Sequence, residues 1–231
     1  MNMENNTRAE TVGQMITNDL MERTKELLSG FGILWAVCGG FALDLFLEEN
    51  TRRHGDIDIC VFECDREKAC GFMLRNGWNV YEFRGGGILR PLNSAGSSET
   101  GRNLMCVMDG CDIVRFYPYD DNSDLVYYEF YHKGITELNY LELLFNTVSD
   151  DHFLFNSRKD VKRELSKAIL FRNGIPYLAP ELVLLFKASR ADIPEYSSDF
   201  EKTFPNMNDD QRQWFLQNLN AIYPDGHIWS V

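Results

Sequence analysis

Two aspartates, Asp56 and Asp58, are the residues whose type and spacing most directly indicate chemistry in this sequence. They open the run Asp-Ile-Asp-Ile-Cys-Val, which predicts a strand, and side chains two residues apart on a strand point to the same face. Two carboxylates held side by side repel each other unless a cation lies between them. Hard divalent ions such as Mg²⁺ bind carboxylate oxygens together with substrate phosphates. The pair therefore predicts a metal site, and the alternative is a solvent-facing Asp-x-Asp without metal.

A pair of glycines, Gly39 and Gly40, precedes these aspartates, and fifteen residues separate Gly40 from Asp56. The glycines follow an apolar run over 34–38 that predicts a short strand, and they open a stretch that predicts an amphipathic helix. Glycines let backbone N–H groups approach a phosphate at a helix N-terminus, where the helix dipole favours an anion. A tight strand-to-helix turn is the alternative interpretation, and the two are compatible. A metal-binding pair beside a phosphate site is the apparatus of nucleotidyl transfer.

This stretch resembles the DNA-polymerase-β-like nucleotidyltransferase superfamily, and most closely its aminoglycoside 2''-nucleotidyltransferases and lincosamide nucleotidyltransferases. The similarity is carried by Gly-Gly-Phe-Ala-Leu-Asp from Gly39, by Thr-Arg-Arg-His-Gly-Asp-Ile-Asp up to Asp58, and more loosely by 173–231. The resemblance implies an α/β (α+β) fold, with a polymerase-β-type mixed sheet and flanking helices followed by a helical C-terminal part. It implies a nucleotidyltransferase domain over 1–145 and a mostly helical region over 146–231 that completes the acceptor site.

The reaction that the resemblance implies is attack by an acceptor hydroxyl on the α-phosphorus of a nucleoside triphosphate, with release of pyrophosphate. ATP is the expected co-substrate, Mg²⁺ is the expected metal, and Asp56 and Asp58 are the expected metal ligands. Lys187 is a candidate triphosphate contact, because lysine acts there as a point charge; a lysine on a helix surface is the alternative. The basic run over 158–172 is a second candidate contact, against a solvated face.

The family carries a third carboxylate on a neighbouring strand, as a metal ligand or as the base for the acceptor hydroxyl. Asp109-Gly110 lies between strand-like runs over 103–108 and 111–117, and this dipeptide predicts a hairpin. The hairpin would place Asp112 near the start of a strand that returns beside the one carrying Asp58. Asp112 is therefore the predicted third catalytic carboxylate, and a surface position at a strand start is the alternative.

The charge balance restricts the class of acceptor. The net charge is −12, from 23 basic and 35 acidic residues. A protein that binds nucleic acid needs a basic face to displace phosphate counterions, so no nucleic-acid partner is expected. The segment 120–151 holds eight acidic residues and one lysine, and such a surface attracts a cationic acceptor, although solubility explains it equally well. The expected partners are a nucleoside triphosphate and a small, cationic hydroxyl acceptor.

Compartment and cysteine usage are the remaining compositional predictions. No run of eighteen apolar residues is present and residues 1–10 are polar, so neither a membrane span nor a secretory signal is predicted, and a cytoplasmic location is expected. The six cysteines lack paired Cys-x-x-Cys spacing, so reduced thiols are expected instead of a zinc site.

Local patterns predict the outline of the secondary structure. Helices are predicted over 7–29, from Asp65 as N-cap to 75, from Pro180 onward and over 209–219, with a strand over 78–83. The Ser-, Gly- and Asn-rich segment 91–101 predicts a mobile loop, and 194–198 predicts a linker. The segment 135–145 is compatible with a short helix or a strand.

Two functional alternatives remain open from the sequence. One is nucleotidyl transfer to a protein side chain. The other is a non-catalytic nucleotide-binding or antitoxin-like protein of the same fold, against which the intact Asp56, Asp58 and glycine pair argue.

Overall fold

The computed structural model describes residues 19–121, 123–131 and 134–230. The chain divides into two compact units, unit 1 with 1–35 and 52–146 and unit 2 with 36–51 and 147–231. The predicted domain division after residue 145 stays a prediction, and the units differ from it by assigning 36–51 to unit 2.

Twelve strands and seven helices occur in the described residues. The strands are β1 (Ala36–Cys38), β2 (Asp58–Phe62), β3 (Asn79–Gly85), β4 (Ile88–Leu92), β5 (Leu104–Val107), β6 (Val114–Pro118), β7 (Val126–Phe130), β8 (Tyr140–Ser149), β9 (His152–Leu154), β10 (Lys162–Glu164), β11 (Ile169–Arg172) and β12 (Ile175–Leu178). The helices are α1 (residues 19–28), α2 (Gly39–Leu47), α3 (Arg66–Arg75), α4 (Leu165–Ala168), α5 (Pro180–Ala188), α6 (Pro194–Thr203) and α7 (Asp209–Ile222). Among these, no helix has the length and apolar character needed to cross a membrane.

Unit 1 contains a mixed sheet in the order β2-β8-β5-β3-β4-β7-β6. Strands β2 and β8 run parallel, and the other neighbours in this order run antiparallel. Helix α3 packs against β2 and β3. On that side of the sheet the thiol of Cys106 on β5 is fully buried, and burial followed by the charge of Cys70 on α3 raises its pKa well above the ordinary range. The opposite face of the sheet carries Asp58.

The predicted hairpin around Asp109-Gly110 is wrong, although these two residues do form a turn. Strand β5 pairs with β3 on one edge and β8 on the other, and β6 pairs with β7. Because both edges of β5 are already occupied, β6 has no free edge of β5 to join. The backbone N–H of Met108 donates instead to the carbonyl oxygen of Asn139, 2.9 Å away. The neighbour of β2 in unit 1 is therefore β8, and the segment 135–145 contributes a strand.

The predicted strand over 78–83 is confirmed as β3, and a glycine-rich hairpin joins it to β4. The segment predicted to be a mobile loop is attached to the sheet by side-chain carboxylates. The backbone N–H of Glu99 donates to the fully buried Glu82 carboxylate at 2.6 Å, and that of Gly101 donates to Glu63 at 2.9 Å. Arg84 and Arg90 pair with the same Glu82 at 2.8 Å, so the charge of this buried carboxylate is compensated.

Unit 2 contains the sheet β11-β12-β1, in which β1 and β12 run parallel and β11 and β12 form an antiparallel hairpin. The predicted helix from Pro180 is confirmed as α5, with the proline in its first turn, and the last helix is confirmed as α7. The predicted linker over 194–198 is wrong, because Pro194 occupies the first turn of α6, where its missing N–H costs nothing. Of the predicted first helix, residues 19–28 are confirmed as α1, and the part before residue 19 lies outside the described residues.

Candidate active site

The carboxylates of unit 1 converge where the parallel strands β2 and β8 run side by side. In their register Asp58 lies directly opposite Glu142, so the two side chains share one face of the sheet. The backbone N–H of Glu142 donates to the carbonyl oxygen of Ile57 at 2.8 Å, which holds this register at the residue between the two aspartates. Ile57 is fully buried, whereas Asp56 and Asp58 are half-buried, as their alternation along the chain predicts. The arrangement places three carboxylates near one another.

A buried tyrosine orients the third of these carboxylates. The hydroxyl of Tyr140 donates to Oε1 of Glu142 at 2.5 Å, a short, charge-assisted hydrogen bond. The Tyr140 ring is fully buried. Burial, then the charge of Glu142 and of the two aspartates, raises the pKa of Tyr140 far above its ordinary value. The phenol therefore keeps its proton and donates to the Glu142 carboxylate when that carboxylate is ionised.

Burial and like charge act together on Glu142. Burial raises its pKa to about 7, the neighbouring Asp56 adds to the rise, and the Tyr140 hydrogen bond opposes it. A carboxyl with this pKa exchanges its proton near neutral pH, which is the property of a general base in that range. The pKa of Tyr128 on β7 is also raised, by burial first and then by the charge of Glu142. Tyr128 is thus a further neighbour of this carboxylate.

The chemistry of these donors fits a hard divalent cation. Asp58 and Glu142 lie on two adjacent strands and Asp56 lies just before β2. Burial first, and then the charge of Asp56, raises the pKa of Glu142, so its charged form is disfavoured without a cation. Within the described ranges, no group of three or more His, Cys, Asp or Glu side chains forms a site that could hold a metal ion. Mg²⁺ does not require such a group, because it is usually held by one or two carboxylates together with substrate phosphates.

Asp112, the predicted third carboxylate, lies in the segment between β5 and β6 and not on a strand beside β2. Its catalytic role stays a prediction, but the position beside Asp58 that the prediction assigned to it belongs to Glu142. The signal for Glu142 was a single carboxylate inside the apolar run Tyr-Leu-Glu-Leu-Leu-Phe. A charge in such a run is costly unless it is paired or functional. The local pattern left helix and strand open for this segment, so the signal was missed.

Gly39 and Gly40 belong to unit 2, where they begin α2 directly after β1. Gly39 has φ +63°, a conformation that favours glycine, so the tight-turn interpretation holds for it. The backbone N–H and the hydroxyl of Thr51 donate to the buried Asp44 carboxylate at 3.0 and 2.6 Å, which ties the chain after α2 back onto the helix. A phosphate contact by the glycines stays a prediction.

Lys187, predicted to contact the triphosphate, is buried in unit 2. Its Nζ lies 3.0 Å from the Asp199 carboxylate and 4.1 Å from the centre of the Tyr196 ring. The basic run over 158–172 is also largely engaged within unit 2. Arg163, for example, pairs with Glu181 at 2.7 Å and with Asp210 at 2.6 Å. These contacts favour structural roles, and the phosphate role of Lys187 stays a prediction.

A mixed sheet with carboxylates on neighbouring strands is the arrangement expected of a nucleotidyltransferase. The family model for aminoglycoside-2''-adenylyltransferase matches residues 20–78, which include Gly39, Gly40, Asp56 and Asp58 but not Glu142. This match confirms the resemblance stated from the sequence and, with it, the predicted class of enzyme. No curated protein sequence matches the chain.

The solved structures similar to this chain have low sequence identity to it. The crystal structure of ANT(2'')-Ia in complex with adenylyl-2''-tobramycin has a TM-score of 0.50 and 11% identity, over 89% of this chain and 99% of that chain. The solution structure of ANT(2'')-Ia has a TM-score of 0.49 and 11% identity, over 94% of this chain and 95% of that chain. Lincomycin-bound LnuA, a lincosamide antibiotic adenylyltransferase, has a TM-score of 0.49 and 13% identity, over 80% of this chain and 94% of that chain. The predicted α+β fold with a mixed sheet and flanking helices is confirmed.

Proposed function

We propose that this protein transfers a nucleoside monophosphate, AMP from ATP, to a hydroxyl group of a small molecule and releases pyrophosphate. The observation that carries the proposal is the register of β2 and β8, which places Glu142 opposite Asp58 while Asp56 acts on its pKa. Carboxylates shared between neighbouring strands are what metal-assisted displacement at phosphorus requires.

Each carboxylate has a proposed role. Asp56 and Asp58 hold Mg²⁺, which when bound supplies positive charge to the phosphate oxygens and the leaving pyrophosphate. Glu142 accepts the proton of the acceptor hydroxyl, since its pKa of about 7 suits proton transfer near neutral pH. The hydroxyl oxygen forms a bond to the α-phosphorus, and the bond from that phosphorus to the bridging oxygen of pyrophosphate breaks. The Tyr140 hydroxyl keeps the Glu142 carboxylate oriented during this step.

The remaining parts of the proposal concern the phosphates and the acceptor. Gly39 and Gly40 offer backbone N–H groups at the start of α2, where a phosphate is favoured. The matching family model describes an adenylyltransferase acting on aminoglycosides, and the ANT(2'')-Ia complex contains adenylyl-2''-tobramycin. Antibiotics of this kind are therefore the first acceptors to test.

The decisive experiment measures pyrophosphate release from each of four nucleoside triphosphates with Mg²⁺, across aminoglycosides, lincosamides and simple polyols. Acceptor-dependent release with ATP is expected, and Glu142→Gln should lower kcat by ~10²-fold or more because a general base contributes that much. Asp112→Asn is the matched control and should stay within a few-fold of the parent. If Asp112→Asn lowered kcat this strongly and Glu142→Gln stayed within a few-fold of the parent, Asp112 would be the base and Glu142 would not. No release with any acceptor would refute transfer to a small molecule.

A further inference from the structure

The sheet face of unit 1 that carries Glu142 is lined with aromatic side chains. Met105 on β5 lies opposite Glu142 on β8, and Tyr81 on β3 lies opposite Met105, so these three side chains share one face. Phe83, two residues after Tyr81 on β3, points to the same side. Ring contacts continue this face across the sheet: Tyr81–Phe116, Phe83–Tyr128, Tyr128–Phe130 and Phe130–Tyr140, with centroids 4.6, 5.9, 5.7 and 5.5 Å apart.

The last of these contacts shows that the face is concave. Phe130 is on β7 and Tyr140 is on β8, and three strands lie between β7 and β8 in the sheet. Four strand spacings in a flat sheet would separate them by about 19 Å. Their rings are nevertheless 5.5 Å apart, so the sheet curves around this face. The curvature brings the β7 aromatics to the tyrosine that holds Glu142.

Phe130 stands out within this face because its side chain is 48% exposed, whereas Tyr140, against which it packs, is fully buried. A pocket of about 440 Å³ is lined in part by residues of this same face: Tyr81, Val107, Val114 and Phe116. Two of its lining residues are register partners of these rings, since Val107 lies opposite Tyr140 and Val114 lies opposite Phe130. The volume is within the range of small-molecule sites. Tyr81 and Phe116 belong both to the aromatic face and to the pocket lining, so they link the pocket to the face that carries Phe130 and Glu142.

We propose that Phe130 and the adjoining pocket are the acceptor subsite of this enzyme, and that the acceptor is a hydroxylated ring compound with an apolar ring face. The role of the bound compound as an acceptor rests on the proposed function, whereas the existence of the binding site rests on the geometry of unit 1. The exposed Phe130 ring offers a flat surface next to Tyr140, whose hydroxyl donates to the Glu142 carboxylate. A ring stacked on it presents a hydroxyl toward that base, while the remainder of the molecule enters the pocket.

The pocket lining defines the chemical class further. Tyr81 and Phe116 are stacked there with an interplanar angle of 16°, which offers large apolar area. Asp109 and Arg115 line the same pocket with opposite charges. Asp109 accepts a hydrogen bond from Asn79 at 2.7 Å, and the guanidinium of Arg115 lies 3.7 Å from the centre of the Tyr131 ring. Because these two charges balance, the pocket lining itself contributes no net charge that would select a polycation, and ring stacking is its main contribution to recognition.

Saturation-transfer NMR on the full chain with Mg²⁺ and no nucleotide tests this proposal without catalysis. The probes are phenyl β-glucopyranoside, a neutral ring compound with a flat substituent, and 2-deoxystreptamine, a dicationic aminocyclitol. The parent should transfer saturation to the glucoside more strongly than to the aminocyclitol. Phe130→Ala should weaken glucoside binding about 2- to 10-fold, since an aromatic contact is worth ~0.5–1.5 kcal/mol.

Tyr127→Ala is the matched control. Tyr127 is on the same strand as Phe130 and is 42% exposed, but its side chain points to the other face and packs on Tyr119. Phe116→Leu is a second variant that keeps the test valid if Phe130→Ala perturbs the sheet. It should weaken glucoside binding because Phe116 lines the pocket. Tyr127→Ala should bind like the parent.

Two results would overturn the inference: no saturation of the glucoside in the parent, or equal binding by the parent, Phe130→Ala and Phe116→Leu. Pyrophosphate assays separate this failure from failure of the proposed function. Acceptor-dependent release that is identical in Phe130→Ala would keep the function and remove the subsite. Phe130-dependent glucoside binding without any release would keep the site and refute its role as an acceptor site.

Discussion

Glu142 and Asp58 lie directly opposite each other on the parallel strands β8 and β2, and the backbone N–H of Glu142 is bonded to the residue that precedes Asp58. Strand pairing thus fixes the separation of two carboxylates that are far apart in sequence. Like charges held this close repel each other, and either protonation of one carboxylate or a bound cation relieves the repulsion. Three predictions about this site follow from that relationship, and a fourth concerns Lys187.

Mg²⁺ should stabilise the folded protein through the carboxylates of Asp56 and Asp58. An ion that binds only the folded state at 100 times its Kd contributes about 2.7 kcal/mol, so thermal unfolding should shift upward with added Mg²⁺. Asp58→Asn should lose most of this shift and all nucleotidyl transfer while remaining folded. Asp112→Asn should keep both the Mg²⁺-induced shift in thermal unfolding and the nucleotidyl transfer activity. A full Mg²⁺-induced shift in Asp58→Asn, measured by calorimetry, would contradict the assigned ligand.

The metal-free protein should become less stable as Glu142 ionises. Its pKa in the folded state is about 7, above the ordinary value of 4.5, so the folded state retains a proton that the unfolded chain releases. The associated stability is fully present below the unfolded pKa and is lost as the pH rises through about 7. The glutamine of Glu142→Gln is uncharged at every pH. In EDTA, the Tm of this variant should therefore rise relative to that of the parent as the pH increases from about 4.5 to about 7.

The size of this gain in Tm measures the combined cost of burying the Glu142 charge and placing it near Asp56, at roughly 2–4 °C for each kcal/mol in a chain of this length. Added Mg²⁺ should reverse the difference, since the cation compensates the charge of the parent. A Tm difference between Glu142→Gln and the parent that is independent of pH would show that Glu142 has an ordinary pKa.

Tyr140→Phe should impair the base without removing it. The hydroxyl stabilises the charged form of Glu142, so its loss raises the pKa of the carboxyl further. A hydrogen bond to a charged group is worth ~1.5–3 kcal/mol, so kcat/KM near pH 7 should fall about tenfold or more. Activity should recover at higher pH, because the base ionises there. Tyr127→Phe is the control, and an unshifted pH profile in Tyr140→Phe would make the tyrosine a packing residue only.

Lys187 offers a test between a structural and a phosphate-binding role. Lys187→Met leaves the buried Asp199 carboxylate without its lysine, and breaking such a pair typically costs about 3–5 kcal/mol. The double variant Lys187→Met with Asp199→Leu should recover much of that loss, because an apolar pair replaces the ion pair. The KM for the nucleotide should stay unchanged in the double variant. Native-like stability in Lys187→Met together with a raised nucleotide KM would support the phosphate role instead.

Local signals in the sequence were sufficient for the strand at Asp56 and Asp58 and for its surroundings. Asp56 and Asp58 alternate with fully buried isoleucines, and a period of two is a local property of a strand. Gly39 adopts the positive φ that its position between β1 and α2 requires, and Pro180 occupies the first turn of α5. Each of these features depends on a few neighbouring residues, so the sequence by itself determined them, along with the class of enzyme.

Only the tertiary structure decided which strands are neighbours. The turn at Asp109-Gly110 is local, but the pairing of β5 with β3 and β8 depends on which edges other strands have already occupied. This choice removed Asp112 from the position beside Asp58 and placed Glu142 there. The curvature that brings Phe130 against Tyr140 is likewise a property of the whole sheet. Long-range pairing is decided by competition among all strands at once, so no local pattern specified the third carboxylate or the aromatic face beside it.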